Sequence, residues 1–193
     1  MPVRLRRRLS ALYWRFSRWT PKIDPLPVRG VLLGAPHTSN WDFVLMVMVS
    51  WHAGASFRFL AKKSVFWPPL GQLMRALGGI PVDRSADHGL VRELVDMADR
   101  GEQFHLVITP EATRAKVEYW KTGFYRIARE ANLPVVFGFI DRRRMECGVG
   151  PHIDLTGRVG EDMDKIRAFY DGFVGVRPGL ETEPRLPNES TTL

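Results

Sequence analysis

The chain has 193 residues, 45% hydrophobic and 25% charged, which is enough for one domain with a sizeable core. A net charge of +7 and a pI near 10.0 favour anionic partners: nucleic acid, lipid headgroups or phosphorylated substrates. The single cysteine, Cys147, excludes an intrachain disulfide and a multi-cysteine metal site, and no apolar run reaches the ~18 residues of a spanning helix. The arginine cluster at the start is not followed by a continuous apolar segment, so it does not read as a signal peptide.

Residues 3 to 19 pattern as a helix with two faces. At 100° per residue Leu5, Leu9, Leu12, Tyr13, Phe16 and Trp19 fall on one side. Arg4, Arg6, Arg7, Arg8, Arg15 and Arg18 take the flanks and the opposite side, and Trp14 breaks the pattern. A cationic amphipathic helix with Trp and Phe suits an anionic membrane surface, where each arginine contributes about 1 kcal/mol. The competing reading is a terminal helix docked on the domain with a solvated arginine face. Nucleic acid is disfavoured, because no nucleic-acid motif or interleaved stacking aromatics follow. Thr20 to Pro27, with three prolines, reads as a linker. Residues 1–27 are therefore expected to form a basic membrane-surface helix and linker, residues 28–178 the main domain, and residues 179–193 a flexible tail.

Within the domain, apolar runs alternate with helical patterns. Val28 to Ala35 predicts a buried strand, followed by a turn and a helix to about Gly54. Phe57 to Ala61 predicts a second strand. Lys62 to Leu77 predicts a loop and short helix, with an apolar surface at Trp67-Pro68-Pro69. Gly78 to Arg84 reads as an edge strand where Pro81 is tolerated, and Asp87 as the cap of a helix to about Arg100. Phe104 to Ile108 and Pro134 to Ile140 predict strands around a helix over Trp120 to Ala131. Arg142 to Arg144 form a basic turn, and Glu161 to Phe173 a last helix. The fold class is α/β: a layered mixed sheet with helices on both faces, preceded by the amphipathic helix, with chemistry in loops at strand ends.

Three of those loops carry chemistry. The first, His37-Thr38-Ser39-Asn40-Trp41-Asp42, lies where a helix should start, with Ser39 or Asn40 available as N-cap. Asp42 in the first turn suits the helix dipole and can reach back to the imidazole, a pairing that makes histidine a general base. Taken alone, the pair better describes a capping aspartate near an unrelated histidine. The second loop holds Asp83-Arg84, and the third holds Glu111, Thr113 and Arg114, with Lys121 and Gly123 just downstream. Arginine forks bind phosphate in bidentate geometry, and Glu111 could orient one of them or bind an acceptor hydroxyl. Neither a P-loop signature nor a GxSxG elbow is present.

Four blocks in this order resemble the lysophosphatidic acid acyltransferase family (1-acyl-sn-glycerol-3-phosphate acyltransferases). His37 to Asp42 is similar to its HxxxxD motif, and Gly79 to Arg84 to the block ending in a phosphate-binding arginine. Pro110 to Arg114 is similar to the PEGTR block and Leu133 to Val136 to the apolar fourth block. Ala112 departs from the usual glycine, and the spanning segments of many relatives are not found in this sequence.

The resemblance implies transfer of a fatty acyl group from acyl-CoA or acyl carrier protein to a hydroxyl of a lysophospholipid such as 1-acylglycerol-3-phosphate. It places His37 and Asp42 as the catalytic dyad, with Arg84, Glu111, Thr113, Arg114 and Lys121 binding substrate. No metal or cofactor is expected, and Cys147 is not expected as a nucleophile. Alternatives are another lipid acceptor, such as a lyso-ornithine lipid or glycolipid, or a non-catalytic lipid-binding membrane module. The expected location is peripheral, on the cytoplasmic face of a membrane.

Overall fold

The computed structural model describes residues 2–82, 92, 94–97 and 100–189. A helix α1 (Val3–Phe16) leads into strands β1 (Thr20–Ile23) and β2 (Arg29–Ala35), then α2 (Trp41–Ala53) and β3 (Phe57–Lys62). After a short 3-10 turn come α3 (Leu70–Ala76) and β4 (Gly79–Val82). Helical residues at 92 and 94–97 precede β5 (Phe104–Ile108). The chain closes with α4 (Gly123–Glu130), β6 (Val135–Asp141), β7 (Glu146–Ile153) and α5 (Val159–Tyr170).

The strands form one sheet in the order β1-β7-β6-β2-β5-β3-β4. Five neighbours from β6 to β4 run parallel, β7 is antiparallel to β6, and β1 runs parallel to β7. The central strands are buried on both faces and read as continuous apolar runs, such as Val31-Leu32-Leu33, as parallel strands under helices do. One face carries Val31, Leu33, Phe104, Leu106 and Val135 against α4, α5 and Leu94 and Met97. The other carries Leu32, Phe57, Phe59, Val107 and Val136 against α2, with Tyr13, Trp14, Met74 and Leu77 from α1 and α3 packed around it. The expected mixed sheet with helices on both faces is what forms.

Three differences from expectation share one cause: contacts distant in sequence. The stretch expected as a linker pairs with β7 through Thr20 to Ile23 and extends the sheet. β7 carries no strand signal of its own, because its glycines and Pro151 lack strand propensity. Gly148 is needed there, since a Cβ would collide with the Lys22 carbonyl of β1. Pro151 falls in the register irregularity opposite Val136 and Gly138, a place where a missing N–H costs no ladder bond. Residues 179–189, expected as flexible tail, lie against the domain. Leu186 is buried, the Trp120 N–H donates to the Arg185 carbonyl, and Arg167 pairs with Glu189 at 2.9 Å.

α1 docks on α2, but not by the apolar face that its periodicity suggests. Ser10 is fully buried, Trp14 joins the core, and Trp14 meets Tyr13 and His52 edge-on. Gly54 ends α2 in the left-handed conformation, φ 67°, and Arg7 lies against it. Leu5, Leu9, Leu12 and Phe16 are left outside, Phe16 with 79% of its surface exposed.

Candidate active site

β2 ends at Ala35, a cis peptide joins it to Pro36, and residues 37–40 turn into α2. Asp42, in the first turn and 6% exposed, sits where the positive end of the helix favours a carboxylate. Its Oδ2 accepts the N–H groups of Thr38 and Ser39, each at 2.8 Å, and lies 3.0 Å from Nδ1 of His37. Ser39 Oγ accepts the Trp41 N–H at 3.2 Å, whereas Asn40 makes no side-chain cap. Asp42 therefore organises the turn as well as the ring. With Nδ1–H directed at Asp42, the lone pair rests on Nε2, which makes no hydrogen bond among the described residues. Oδ1 of Asp42 is buried and likewise without a partner there.

The loop after β5 supports this turn from behind. β2 and β5 are parallel neighbours in register from Arg29–Phe104 to Leu33–Ile108, so the loops that follow them leave the same sheet edge. Glu111, 3% exposed, accepts the backbone N–H of His37 through both carboxyl oxygens, at 2.9 and 3.1 Å. Burial pushes its pKa up to about 8. The His37 hydrogen bond pulls the other way, and the charges of Asp42 and Glu181 add to the rise. Glu111, expected to bind substrate, is enclosed, and its hydrogen-bond partner among the described residues is the backbone N–H of His37.

The departure at Ala112 has a cost. Its φ is 57°, in the left-handed region that glycine enters freely and alanine does not, while its N–H closes a turn onto the Thr109 carbonyl. Beyond it, Thr113 is half-buried with Oγ1 accepting the Ala115 N–H, and Arg114 and Lys121 are exposed. No hydrogen bond or ion pair joins either cation to the dyad. Arg84 lies outside the described residues; β4, two residues before it, ends at the same sheet edge as β2 and β5.

Two contributors carry no local sequence signal. Thr38, fully buried, accepts the Arg177 N–H on Oγ1 at 2.9 Å, tying residues 174–177 to the turn that carries His37 and Asp42. Glu181 accepts the N–H groups of Gly175 and Gly179 and so holds that segment. Among the described residues no group of His, Cys, Asp and Glu side chains could hold a metal ion. Cys147 is buried in the core, and its thiol is pushed up to about 12 by burial.

A family model described as Acyltransferase matches residues 21–137, a span that holds both His37–Asp42 and the Glu111 loop. The chain belongs to the Acyltransferase family. Among solved structures, this acyltransferase is similar in fold to the 1-acyl-sn-glycerophosphate (LPA) acyltransferase PlsC from Thermotoga maritima. The TM-score is 0.52 at 18% identity, covering 79% of this chain and 68% of that one. No curated protein matches. The family assignment accords with the reading from the four sequence blocks, and the fold likeness with the expected α/β layers.

Proposed function

We propose that this acyltransferase moves a fatty acyl group from acyl-CoA or acyl carrier protein to a hydroxyl of a lysophospholipid such as 1-acylglycerol-3-phosphate. The observation that carries the reading is the 3.0 Å contact of His37 Nδ1 with an Asp42 oxygen already fixed by two backbone N–H groups. That arrangement sets the tautomer and leaves Nε2 to act as base. Nε2 takes the acceptor hydroxyl proton, and the oxygen attacks the thioester carbonyl. The tetrahedral intermediate then expels the thiolate, which receives a proton from the imidazolium. No acyl-enzyme is needed, and the raised thiol of Cys147 argues against one there. Arg84, Thr113, Arg114 and Lys121 remain the proposed contacts to the phosphorylated acceptor, with Glu111 holding the histidine's backbone.

The site of action we propose is the cytoplasmic surface of a membrane. Leu5, Leu9, Leu12 and Phe16 form an exposed stripe on α1, bordered by the exposed Arg4, Arg8 and Arg15. Lying about 120° round the helix from the face on α2, the stripe is free for an acyl boundary, with arginines beside lipid phosphates. Among the described residues no helix is long and apolar enough to cross a membrane, and this attachment requires none.

Thiol release from acyl-CoA by the full chain, with a panel of lysolipids bearing or lacking phosphate, tests the reaction. Transfer only to phosphorylated lysolipids supports the reading. Equal transfer to a lyso-ornithine lipid or glycolipid would replace the acceptor, and no thiol release with any acceptor would leave a lipid-binding module. Sedimentation with phosphatidylglycerol vesicles tests the stripe. Leu9→Gln, Leu12→Gln and Phe16→Gln together should release the protein, and undiminished binding would move attention to Trp67 and Leu73.

A further inference from the structure

Two clefts flank the catalytic turn, and their charges are opposite. One of about 440 Å³ runs past Pro36 and Trp120 and is lined by Asp171, Glu181 and Glu183 against, among the described residues, a single cation, Arg167, which already binds Asp164 and Glu189. The other, about 530 Å³, is lined by Arg18, Arg142 and Arg143 and by the rings of Tyr13, Trp19 and Trp41, with no carboxylate among the described residues. Trp41 is the first residue of α2, adjacent to Asp42. Val176 on the far wall precedes Arg177, whose N–H is held by Thr38. The second cleft thus lies beside the turn that carries His37, reaching it through Trp41 and Val176.

Its chemistry selects an anion joined to a flat ring. The side chains of Arg18 and Arg143 have no ion pair or hydrogen bond among the described residues, while Arg142 is engaged by the Val176 carbonyl. Free guanidinium forks suit phosphate oxygens, and indole faces suit a purine. The volume falls in the range of small-molecule sites. A simple lipid headgroup would use the arginines and leave the exposed Trp41 ring without a partner, whereas Tyr13 and Trp19 already pack on the core. We propose that this cleft binds the phosphorylated adenosine end of a coenzyme A thioester, setting the acyl donor on the α1 side of the dyad. The assignment rests on the acyl-transfer reading for its purpose, but not for its test.

The probe is adenosine 3′,5′-bisphosphate, titrated calorimetrically into the full chain and into the Arg18→Ala/Arg143→Ala variant. Both arginines are exposed and unpaired, so the variant should melt where the parent does. Binding to the parent, weakened at least tenfold in the variant, is the expected result. The KM for acyl-CoA should also rise at least tenfold, with the acceptor KM within twofold. Absence of bisphosphate binding, or equal binding by both proteins, overturns the site. An increase in acceptor KM, or weaker vesicle binding, with the donor KM unmoved would assign the cleft to a lipid phosphate and overturn it as well. Because the titration needs no turnover, a protein that binds bisphosphate through these arginines yet never releases thiol sinks the transfer reading and keeps the site.

Discussion

Two buried aspartates sit in the first turns of their helices, and each gathers the loop ahead of it. Asp162, in α5, accepts the Tyr125 hydroxyl at 2.7 Å, the Thr156 N–H at 2.9 Å, the Gly157 N–H at 3.3 Å and the Thr156 hydroxyl at 3.1 Å. Both of its oxygens are engaged, and its aromatic partner is a phenol whose pKa is pushed upward by burial and by that hydrogen bond. Asp42 accepts two loop N–H groups in the same way, but its third partner is an imidazole and its second oxygen is left bare. The lesson is that burial and capping do not separate a structural carboxylate from one proposed to take part in chemistry. What separates them is the partner, an imidazole in place of a phenol, and whether the network is complete.

Substitutions should divide along that line. The largest effect is expected at the incomplete network: His37→Ala should lower the rate of thiol release about 10² to 10⁴-fold, and Asp42→Asn about 10²-fold. Initial-rate assays beside thermal melts check this, and an active, folded His37→Ala protein would remove the dyad from the mechanism. At the complete network the effect should fall on stability. Asp162→Ala leaves a phenol and two N–H groups unpaired in the interior and should cost about 3 kcal/mol, or roughly 6–12 °C in Tm. Its kcat per folded molecule should stay at the parent value. A large kcat loss without a Tm change would erase the distinction drawn here.

Glu111 lies between these extremes and should show itself through pH. Its folded pKa, about 8, stands above the ordinary 4.5, so the native state holds a proton that the unfolded chain releases. The stability it confers is complete below about 4.5 and is lost as pH rises through 8. Denaturant titrations at pH 5, 7 and 9 should show that decline in the parent and a flatter profile in Glu111→Gln; parallel profiles would contradict the assignment. The smallest effect is expected at Ala112, where Ala112→Gly should relieve the left-handed backbone and add about 0.5–1 kcal/mol. A loss of stability there would mean the methyl group is needed for packing.

Much of this arrangement is legible in the sequence because it is local. His37 and Asp42 are five residues apart, and an apolar run ahead of them and a helical run behind them place the pair at a strand-to-helix turn. The Glu111 loop is legible as a strand exit, but the direction of its carboxylate is not. That depends on β2 and β5 being neighbours, a contact across 74 residues. Periodicity reveals that α1 has an apolar stripe, yet it cannot tell which phase the stripe meets. Trp14, the residue that breaks the pattern, proves to be the docking contact. β1 and β7 escape notice for the same reason, since a proline-bearing and a glycine-rich segment become strands only by pairing with each other.

The zipping of β1 onto β7 bears on how the molecule moves as a body. Only three residues separate the end of α1 from β1, and α1 is also clamped along α2. A helix of fourteen residues, about 20 Å long, is thus fastened along its side and at its end, without a swivel. Anything that grips its outer stripe grips the sheet. Under the proposed attachment, the protein would not bob on a tether as a lipidated enzyme does; its tilt and standoff from the bilayer would be set once, by the geometry of one helix. Fluorescence depth-quenching from Trp19 and Trp41 should then report a single fixed pair of depths, whatever the ionic strength, for as long as the protein stays bound.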